Sequence, residues 1–417
     1  MLNFTQNYSK MINRVLLPVF LFLIIGCSSE TKKVVSLADD VTFLANDALQ
    51  GRETGTAQEL EAAEYIMNRM KTIGLTPKGN AGTYYQTFTF KPKKDPHGQV
   101  EYMAGDSTIT GTNVIGYIDN KATNTIIIGA HYDHLGMGGE GSLYRDGEAI
   151  HNGADDNASG VAILLKLADS LQQVNTNNNY LFMAFSGEEM GLLGSNFFAK
   201  NPTIDLSTAN YMLNMDMVGR LREDKTLSVS GTGTAPIWKQ VLNSSNTAFK
   251  LVLQESGVGP SDHTSFYLQD IPVLHFFTGQ HEDYHKPSDD ANKLNYEGMQ
   301  LITEYIFEVI SELNTAEKLA FRKTKNESEE VPRFKVALGV VPDYLFDGKG
   351  MRIDGVSEDR PAQKAGLQKG DIVIQLGDST VIDMMSYMRA LSTFEEGNTT
   401  KVVVDRNGKK IEADISF

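Results

Sequence analysis

The spacing of apolar and polar residues predicts alternating helices and strands over most of the chain. Residues 37–74 have a helical pattern, and within it ELEAAEYIMNRMKTIGL has apolar residues every three or four positions, which is typical of an amphipathic helix. Apolar runs rich in β-branched and aromatic residues predict buried strands, for example TNTIIIGAH, NYLFMAFSGEE and ANYMLNMDMVG. The patterns VAILLKLADSL and YEGMQLITEYIFEVISEL predict further helices. This order indicates an α/β fold with a mostly parallel mixed sheet flanked by helices, and with its site at the carboxyl ends of the strands.

Changes in composition divide the chain into five predicted segments. Residues 315–332 are charged and weakly apolar, and we interpret them as a linker. They separate a large domain at 37–314 from residues 333–417, whose own strand pattern predicts a small β-domain. Residues 1–27 are predicted to be a signal peptide and residues 28–36 a tether.

The amino-terminal segment predicts export from the cytoplasm. Arg14 precedes an apolar run at 15–25 that is too short to span a bilayer comfortably and is typical of a signal peptide. The sequence IIGC, which ends at Cys27, resembles the lipobox of bacterial lipoproteins, in which the cysteine becomes the lipidated first residue. The resemblance implies a lipid anchor in the cell envelope, at the outer membrane or the periplasmic face. An ordinary signal peptide with an incidental cysteine is the alternative.

Net charge and cysteine content narrow the function classes. The formal net charge of −15 argues against a nucleic-acid-binding protein, because neutralising phosphates needs clustered Lys and Arg. The single cysteine excludes an internal disulfide framework and a zinc site built from several cysteines. Part of the acidic excess could instead surround bound cations.

Acidic residues and histidines recur where predicted strands end or helices begin. The candidates are His131, Asp133, Asp155, Asp156, Glu188, Glu189, Asp216 and His285. Each could by itself be a helix cap or a surface residue. Together they would gather at one edge of the sheet, where so many carboxylates repel each other and raise their own pKa values. Divalent cations remove that repulsion, and mixed histidine and carboxylate ligands suit zinc or a related metal.

Five motifs in order resemble those of a known enzyme family. HYDH, GADDNASG, SGEEMGLLGS, NMDMVG and YHKPSDD are similar to the motifs of dizinc aminopeptidases of the aminopeptidase Y and glutamate carboxypeptidase group. The resemblance covers about residues 37–313. It implies a zinc-dependent exopeptidase that hydrolyses amino-terminal residues from peptides, with two Zn²⁺ ions or other divalent metals as cofactors.

The same resemblance implies a set of metal ligands. His131 and Asp216 would bind one zinc ion, and Glu189 and His285 would bind the other. Asp155 would bridge both ions, which in two-metal sites stand about 3.5–4 Å apart.

The resemblance also implies roles for residues beside the ligands. Glu188 would be the general base that deprotonates the attacking water and later protonates the leaving amine. Asp133 would hold the far ring nitrogen of His131 and so fix its tautomer. Asp156 would follow the bridging residue through a cis peptide bond and shape the turn.

Two residues near His285 complete the predicted site. Carboxypeptidase relatives use a tyrosine at the position of Tyr284 to stabilise the oxyanion, although a loop tyrosine can also serve packing alone. Asp289 would support His285 by a hydrogen bond.

The carboxyl-terminal segment resembles a PDZ domain of the bacterial protease type. RPAQKAGLQKGDIVIQLGD is the specific part, and ALGV matches the carboxylate-binding loop. The resemblance implies that backbone amides near Leu338, Gly339 and Val340 receive the carboxyl terminus of a substrate or a partner protein. A structural β-domain without a bound peptide is the alternative.

Three other functions remain open from the sequence. The same fold could act as a carboxypeptidase or as a glutaminyl cyclase, and the cyclases typically use one zinc ion. A non-enzymatic lipoprotein that binds peptides through its PDZ domain would need neither metals nor Glu188.

Overall fold

The computed structural model describes residues 35–92, 102, 105, 108–139, 141–172, 174–324, 335–343, 346, 348–357 and 359–417. The predicted signal peptide with Cys27 and nearly all of the tether lie outside the described residues, as does the second half of the predicted linker. Within the described ranges, no helix is long and apolar enough to cross a membrane.

Helices and strands follow one another through the described residues from 37 to 312, as the apolar pattern predicts. The α-helices among the described residues are α1 (Leu37–Leu44), α2 (Ala57–Ile73), α3 (Gly160–Ser170), α4 (Leu193–Lys200), α5 (Trp238–Ser244), α6 (His263–Tyr267), α7 (Tyr296–Glu312), α8 (Pro361–Lys364) and α9 (Met384–Leu391). The strands of the large domain are β1 (Thr76–Pro77), β2 (Tyr85–Phe90), β3 (Ile109–Ile118), β4 (Asn124–His131), β5 (Asn178–Phe185), β6 (Ala209–Met215), β7 (Thr226–Ser230), β8 (Lys250–Leu253) and β9 (Val273–Phe277). The strands of the small domain are β10 (Val340–Pro342), β11 (Met351–Val356), β12 (Ile372–Leu376), β13 (Ser379–Thr380), β14 (Thr399–Arg406) and β15 (Lys409–Ser416).

A mixed sheet forms the centre of the large domain. Among the described residues it has nine strands, in the order β1-β3-β5-β4-β6-β9-β7-β8, with β2 paired to β3. The four central strands β5, β4, β6 and β9 are mutually parallel, and antiparallel strands lie on both sides of them. Because the central strands run in one direction, the segments that follow them start at the same edge of the sheet.

Helices cover both faces of this sheet. Helix α3 lies in the middle of the larger core cluster, where Val161, Ile163 and Leu164 are fully buried. On the opposite face, α4 and α6 contribute Phe198 and Phe266 to a separate buried cluster. The predicted α/β class with a mixed, helix-flanked sheet is thereby confirmed, but only four of its eight described strand pairings are parallel.

The continuous helical pattern at the start of the large domain is interrupted in the structure. Helix α1 and helix α2 are separated by a turn in which Gln50, Gly51 and Arg52 have positive φ angles. A Cβ atom on Gly51 would lie 2.5 Å from the carbonyl oxygen of Gly136. The turn therefore requires glycine there, and it brings Arg52 into the interior.

The small domain has its own sheet and its own core. Its described strands pair antiparallel throughout, in the order β10-β11-β12-β14-β15 with β13 on β12. Leu338, Val373, Val404 and Tyr387 belong to one buried cluster under helix α9. The prediction of a small β-domain is confirmed. The described part of the predicted linker does not behave as one, because Leu319 and Phe321 pack against the cores of the large domain.

Candidate metal centre

The site is assembled from segments that follow the four parallel strands. Strand β4 ends at His131, Glu188 and Glu189 come soon after β5, and Asp216 comes directly after β6. His285 lies in the loop that follows β9. Parallel strands thus bring together residues that are up to 154 positions apart, as predicted.

Two groups of side chains share one aspartate. Nε2 of His131 lies 3.3 Å from Oδ1 of Asp156 and 3.3 Å from Oδ1 of Asp216. Nε2 of His285 lies 3.2 Å from Oδ2 of Asp156 and 3.3 Å from Oε2 of Glu189. The two carboxylate oxygens of Asp156 thus face different histidines, which is the arrangement a bridging ligand requires.

The prediction that Asp155 is the bridging residue does not fit this geometry. Oδ1 of Asp155 accepts a hydrogen bond from the amide of Gly219 at 2.6 Å, and Oδ2 contacts Nε2 of His281 at 3.1 Å. Neighbouring residues of a helical turn point in different directions, so only one of two adjacent aspartates can face the site. The cis peptide bond likewise joins Asp156 to Asn157, one residue later than predicted.

Asp289 supports the turn that contains Asp155 and Asp156, and it does not support His285 as predicted. Its Oδ2 atom accepts hydrogen bonds from the amides of Asp155 at 2.9 Å and Asp156 at 3.1 Å. Burial and the carboxylate of Asp155 raise the pKa of Asp289 to about 6. The expected support of His285 comes instead from the carbonyl oxygen of Gly141, 2.8 Å from Nδ1 of that histidine.

Asp133 lies between His131 and Glu188. Its Oδ1 atom is 3.7 Å from Nδ1 of His131 and accepts a hydrogen bond from the amide of Glu188 at 3.1 Å. The carbonyl oxygen of Asp133 is closer to that ring nitrogen, at 3.3 Å. Asp133 therefore orients the backbone at Glu188 as well as the imidazole of His131.

A buried arginine fixes the loops that carry the site. The guanidinium of Arg52 donates hydrogen bonds to the carbonyl oxygens of Tyr132 at 2.7 Å, Asn152 at 2.6 Å and Gly153 at 3.0 Å. It thereby ties the segment after β4 to the turn that holds Asp156. Burial lowers the pKa of Arg52 to about 10, although the nearby carboxylates of Asp133 and Asp156 act to raise it.

His134 belongs to the site although the sequence analysis did not select it. Its Nδ1 atom lies 2.7 Å from Oε1 of Glu189 and 4.0 Å from Oδ2 of Asp156. The contact between Nδ1 and Glu189 lacks hydrogen-bond geometry, and Nε2 of His134 is buried without a hydrogen-bond partner among the described residues. The second histidine of HYDH was the available signal, since it lies three residues after His131.

The side chains fit divalent cations on chemical grounds. Potential ligand atoms of His131, Asp156 and Asp216 lie within 4.8 Å of one another, and so do those of His134, Asp156 and Glu189. Two like charges about 4 Å apart repel by about 4 kcal/mol at an effective protein dielectric constant. Burial and the carboxylate of Asp216 raise the pKa of Glu188 well above its usual value, against the opposing charge of His131. Cations between these groups would remove the repulsion and could take one ring nitrogen of His134 as a ligand.

A pocket of about 440 Å³ opens beside these groups. Glu188 and Asp216 line it together with Met217 and Phe277, so it has room for a substrate next to the proposed ligands. Tyr284 also lines the pocket, and its ring stacks on His285 with the centroids 3.8 Å apart.

The predicted peptide-binding residues of the small domain lie together at one groove. Leu338 and Gly339 immediately precede β10, which starts at Val340, and all three line the groove. Gly339 has a φ angle of 80°, and a Cβ atom there would lie 2.1 Å from Cβ of Arg360. Only glycine fits this loop without displacing its neighbours.

Comparison with known families assigns both domains. Residues 113–310 match Peptidase family M28, and residues 320–417 match the PDZ domain. The large domain is therefore a peptidase domain of family M28, and a PDZ domain follows it.

Individual relatives agree with this assignment. The chain is 28% identical over 219 residues to aminopeptidase YwaD of Bacillus subtilis, an alignment that covers 48% of this chain and 45% of that protein. The chain spans about half the length of the curated relatives it matches.

Solved structures show the same fold at low sequence identity. BSAP, a zinc aminopeptidase from Bacillus subtilis, has a TM-score of 0.53 and 17% identity, covering 69% of this chain and 97% of that chain. A glutaminyl cyclase from Porphyromonas gingivalis has a TM-score of 0.52 and 18% identity, covering 66% of this chain and 97% of that chain.

Proposed function

We propose that this protein is a zinc-dependent aminopeptidase with two metal ions at the sheet edge. The observation that carries the proposal is Asp156, whose two carboxylate oxygens face His131 and His285 separately. The names of relatives such as aminopeptidase YwaD support hydrolysis of amino-terminal residues.

The chain offers a complete ligand set for two ions. His131 and Asp216 would hold one ion, and His285 and Glu189 the other, with Asp156 shared between them. His134 offers a further nitrogen ligand beside Glu189. Divalent metal ions supply Lewis-acid chemistry, since they polarise the scissile carbonyl group and make water a stronger acid.

Glu188 is positioned for the proton transfers. Its side chain lines the pocket, and Asp133 holds its backbone amide. A carboxylate oxygen of Glu188 would take a proton from the attacking water and give it to the leaving amine. The Tyr284 hydroxyl would donate a hydrogen bond to the developing oxyanion from the same pocket.

Removing the metal ions should abolish peptide hydrolysis. We expect the chelator 1,10-phenanthroline to lower the rate of aminoacyl-p-nitroanilide hydrolysis to below about 1% of the starting rate. It removes the metal ions, which are the Lewis acids of the proposed mechanism. Added Zn²⁺ should restore the rate, and mass spectrometry of the metal content should find two ions per chain.

The metal content, together with the reaction products, separates the proposed aminopeptidase from the alternative enzymes. A single zinc ion together with cyclisation of amino-terminal glutamine would identify a glutaminyl cyclase, whose fold the chain shares. Full activity without metal would contradict the proposal. Release of carboxyl-terminal residues from amino-terminally blocked peptides would identify a carboxypeptidase.

The PDZ domain provides a second place for peptides. Such domains receive a terminal carboxylate on backbone amides and add the peptide to a sheet edge. We propose that Leu338, Gly339 and Val340 form this carboxylate-binding loop, because they lie at the groove between β10 and α9.

Lipid attachment at Cys27 is proposed from the sequence alone. We expect a membrane-associated, palmitate-labelled protein from the full-length chain in a bacterial host, and an unlabelled one from Cys27→Ser. Equal membrane association of the two proteins without any label would contradict the lipoprotein assignment.

A further inference from the structure

One loop of the peptidase domain contacts both the proposed metal ligand His285 and the PDZ groove. The amide of Leu143 donates a hydrogen bond to the carbonyl oxygen of His285 at 2.9 Å. Nδ1 of His285 lies 2.8 Å from the carbonyl oxygen of Gly141. Two hydrogen bonds to one residue make the position of His285 depend on the loop at 141–145.

The far end of this loop forms part of the PDZ groove. Leu143 and Arg145 line a groove of about 280 Å³ together with residues of the small domain. These residues include the predicted carboxylate-binding loop, Arg360 and the α9 side chains Met384, Tyr387, Met388 and Leu391. The groove therefore has one wall from each domain.

The groove combines apolar and cationic groups. Leu338 and Leu391 are almost fully buried and supply apolar surface. Arg145 and Arg360 are exposed, and neither forms an ion pair with a residue in the described part of the chain. Their guanidinium groups suit a carboxylate, and they lie in a chain whose net charge is −15.

A second contact holds the PDZ domain against the peptidase domain. Nη2 of Arg222 lies 3.4 Å from Oδ2 of the buried Asp354 on β11, and 3.3 Å from the carbonyl oxygen of Gln280. Gln280 belongs to the loop that leads to His285. The PDZ domain thus lies beside two peptidase segments that lead to His285, namely the loop at 141–145 and the loop at Gln280.

We propose that Arg145, a residue of the peptidase domain, helps to hold the carboxyl terminus of a peptide bound in this PDZ groove, and that it transmits the occupancy of the groove to His285. The terminal carboxylate lies between Arg145, Arg360 and the amides of the Leu338–Gly339 loop, and the last side chain packs on α9. Binding draws Arg145 toward the PDZ domain and holds the 141–145 loop, which stabilises His285 in its ligand position. This coupling rests on the proposed metal site, whereas the peptide binding does not.

The binding part is tested without any turnover. The probe is a fluorescein-labelled hexapeptide that ends in Ala-Leu with a free carboxylate, and its amino terminus is blocked by the dye. We expect fluorescence anisotropy to show that the zinc-loaded protein binds this peptide. Binding should be at least about tenfold weaker for the carboxamide form of the peptide, and also for the Arg145→Ala protein. Arg322→Ala is the matched control, because Arg322 is also exposed but lies outside the groove. Equal affinity for the carboxamide peptide, or wild-type affinity in Arg145→Ala, would overturn the proposal that Arg145 helps to hold the terminal carboxylate.

The coupling part is tested by metal release. The measurement is the rate at which zinc passes to the chelator 4-(2-pyridylazo)resorcinol, with and without a saturating amount of an unlabelled, acetylated form of the peptide. Coupling between two sites typically changes an affinity by about fivefold or more, and it acts in both directions. We expect the peptide to slow zinc release about fivefold in the wild type and in Arg322→Ala, but not in Arg145→Ala. A release rate that bound peptide leaves unchanged would overturn the coupling. If the chain binds zinc and peptide as described but hydrolyses no aminoacyl substrate, the proposed function fails and the coupling stands.

Discussion

Replacing Glu188 with glutamine is expected to lower kcat by about 10²–10⁴-fold while two metal ions stay bound. The side chain keeps its shape and still lines the pocket, but the amide has no basic oxygen to accept a proton from water. Glu188 is not among the residues whose ligand atoms cluster around Asp156, so its loss should leave the metal content intact. Steady-state hydrolysis of an aminoacyl-p-nitroanilide and metal analysis of the same sample provide the two measurements.

A matched control distinguishes the lost base from a general effect of removing charge. Glu282 lies in the loop before His285, is exposed, and has no place in the pocket. Glu282→Gln should therefore keep the wild-type kcat. Parental turnover in Glu188→Gln would show that another group moves the proton. Loss of both ions in that variant would make Glu188 a ligand.

Replacing Asp156 with asparagine is expected to remove metal binding and activity together. The side chain would lose the charge that its two oxygens share between His131 and His285, and an amide group offers one oxygen where the site needs two. We expect the content of tightly bound zinc to fall from two ions to one or none, and kcat to fall by at least about 10³-fold, because metal ions generate the nucleophile.

The neighbouring aspartate provides a sharp comparison. Asp155→Asn should retain both ions, since its carboxylate contacts Gly219 and His281 outside the ligand groups. Its Oδ1 atom can still accept the hydrogen bond from the Gly219 amide. Metal loss in Asp155→Asn with two ions retained in Asp156→Asn would restore the assignment made from the motif and would reject the geometry described above.

Much of the fold could be predicted from local patterns. Apolar runs such as the one before His131 form buried strands wherever helices cover both faces of a sheet. The gathering of His131, Glu189, Asp216 and His285 followed from the same reasoning, because parallel strands end at one edge.

The partners of individual carboxylates could not be predicted in this way. Asp289 follows His285 closely in the chain, but its side chain turns toward the amides of Asp155 and Asp156. Arg52 lies in a pattern that looked helical, and a turn with positive φ angles carries it to the carbonyl groups under the site. Such contacts depend on the path of the backbone in space and leave no periodic trace in the sequence.

By itself, the sequence determined the type of chemistry, since it supplies histidines and carboxylates after successive strands and the ALGV loop in a separate β-domain. The tertiary structure alone decided which of two adjacent aspartates faces both histidines, that His134 joins them, and that Arg145 reaches the PDZ groove. The physical reason is that strand direction is a property of whole segments and can be derived from their pattern. Side-chain direction in a turn or loop is set by hydrogen bonds to residues that are far away in the sequence, such as Asp289 for the turn at Asp155 and Asp156.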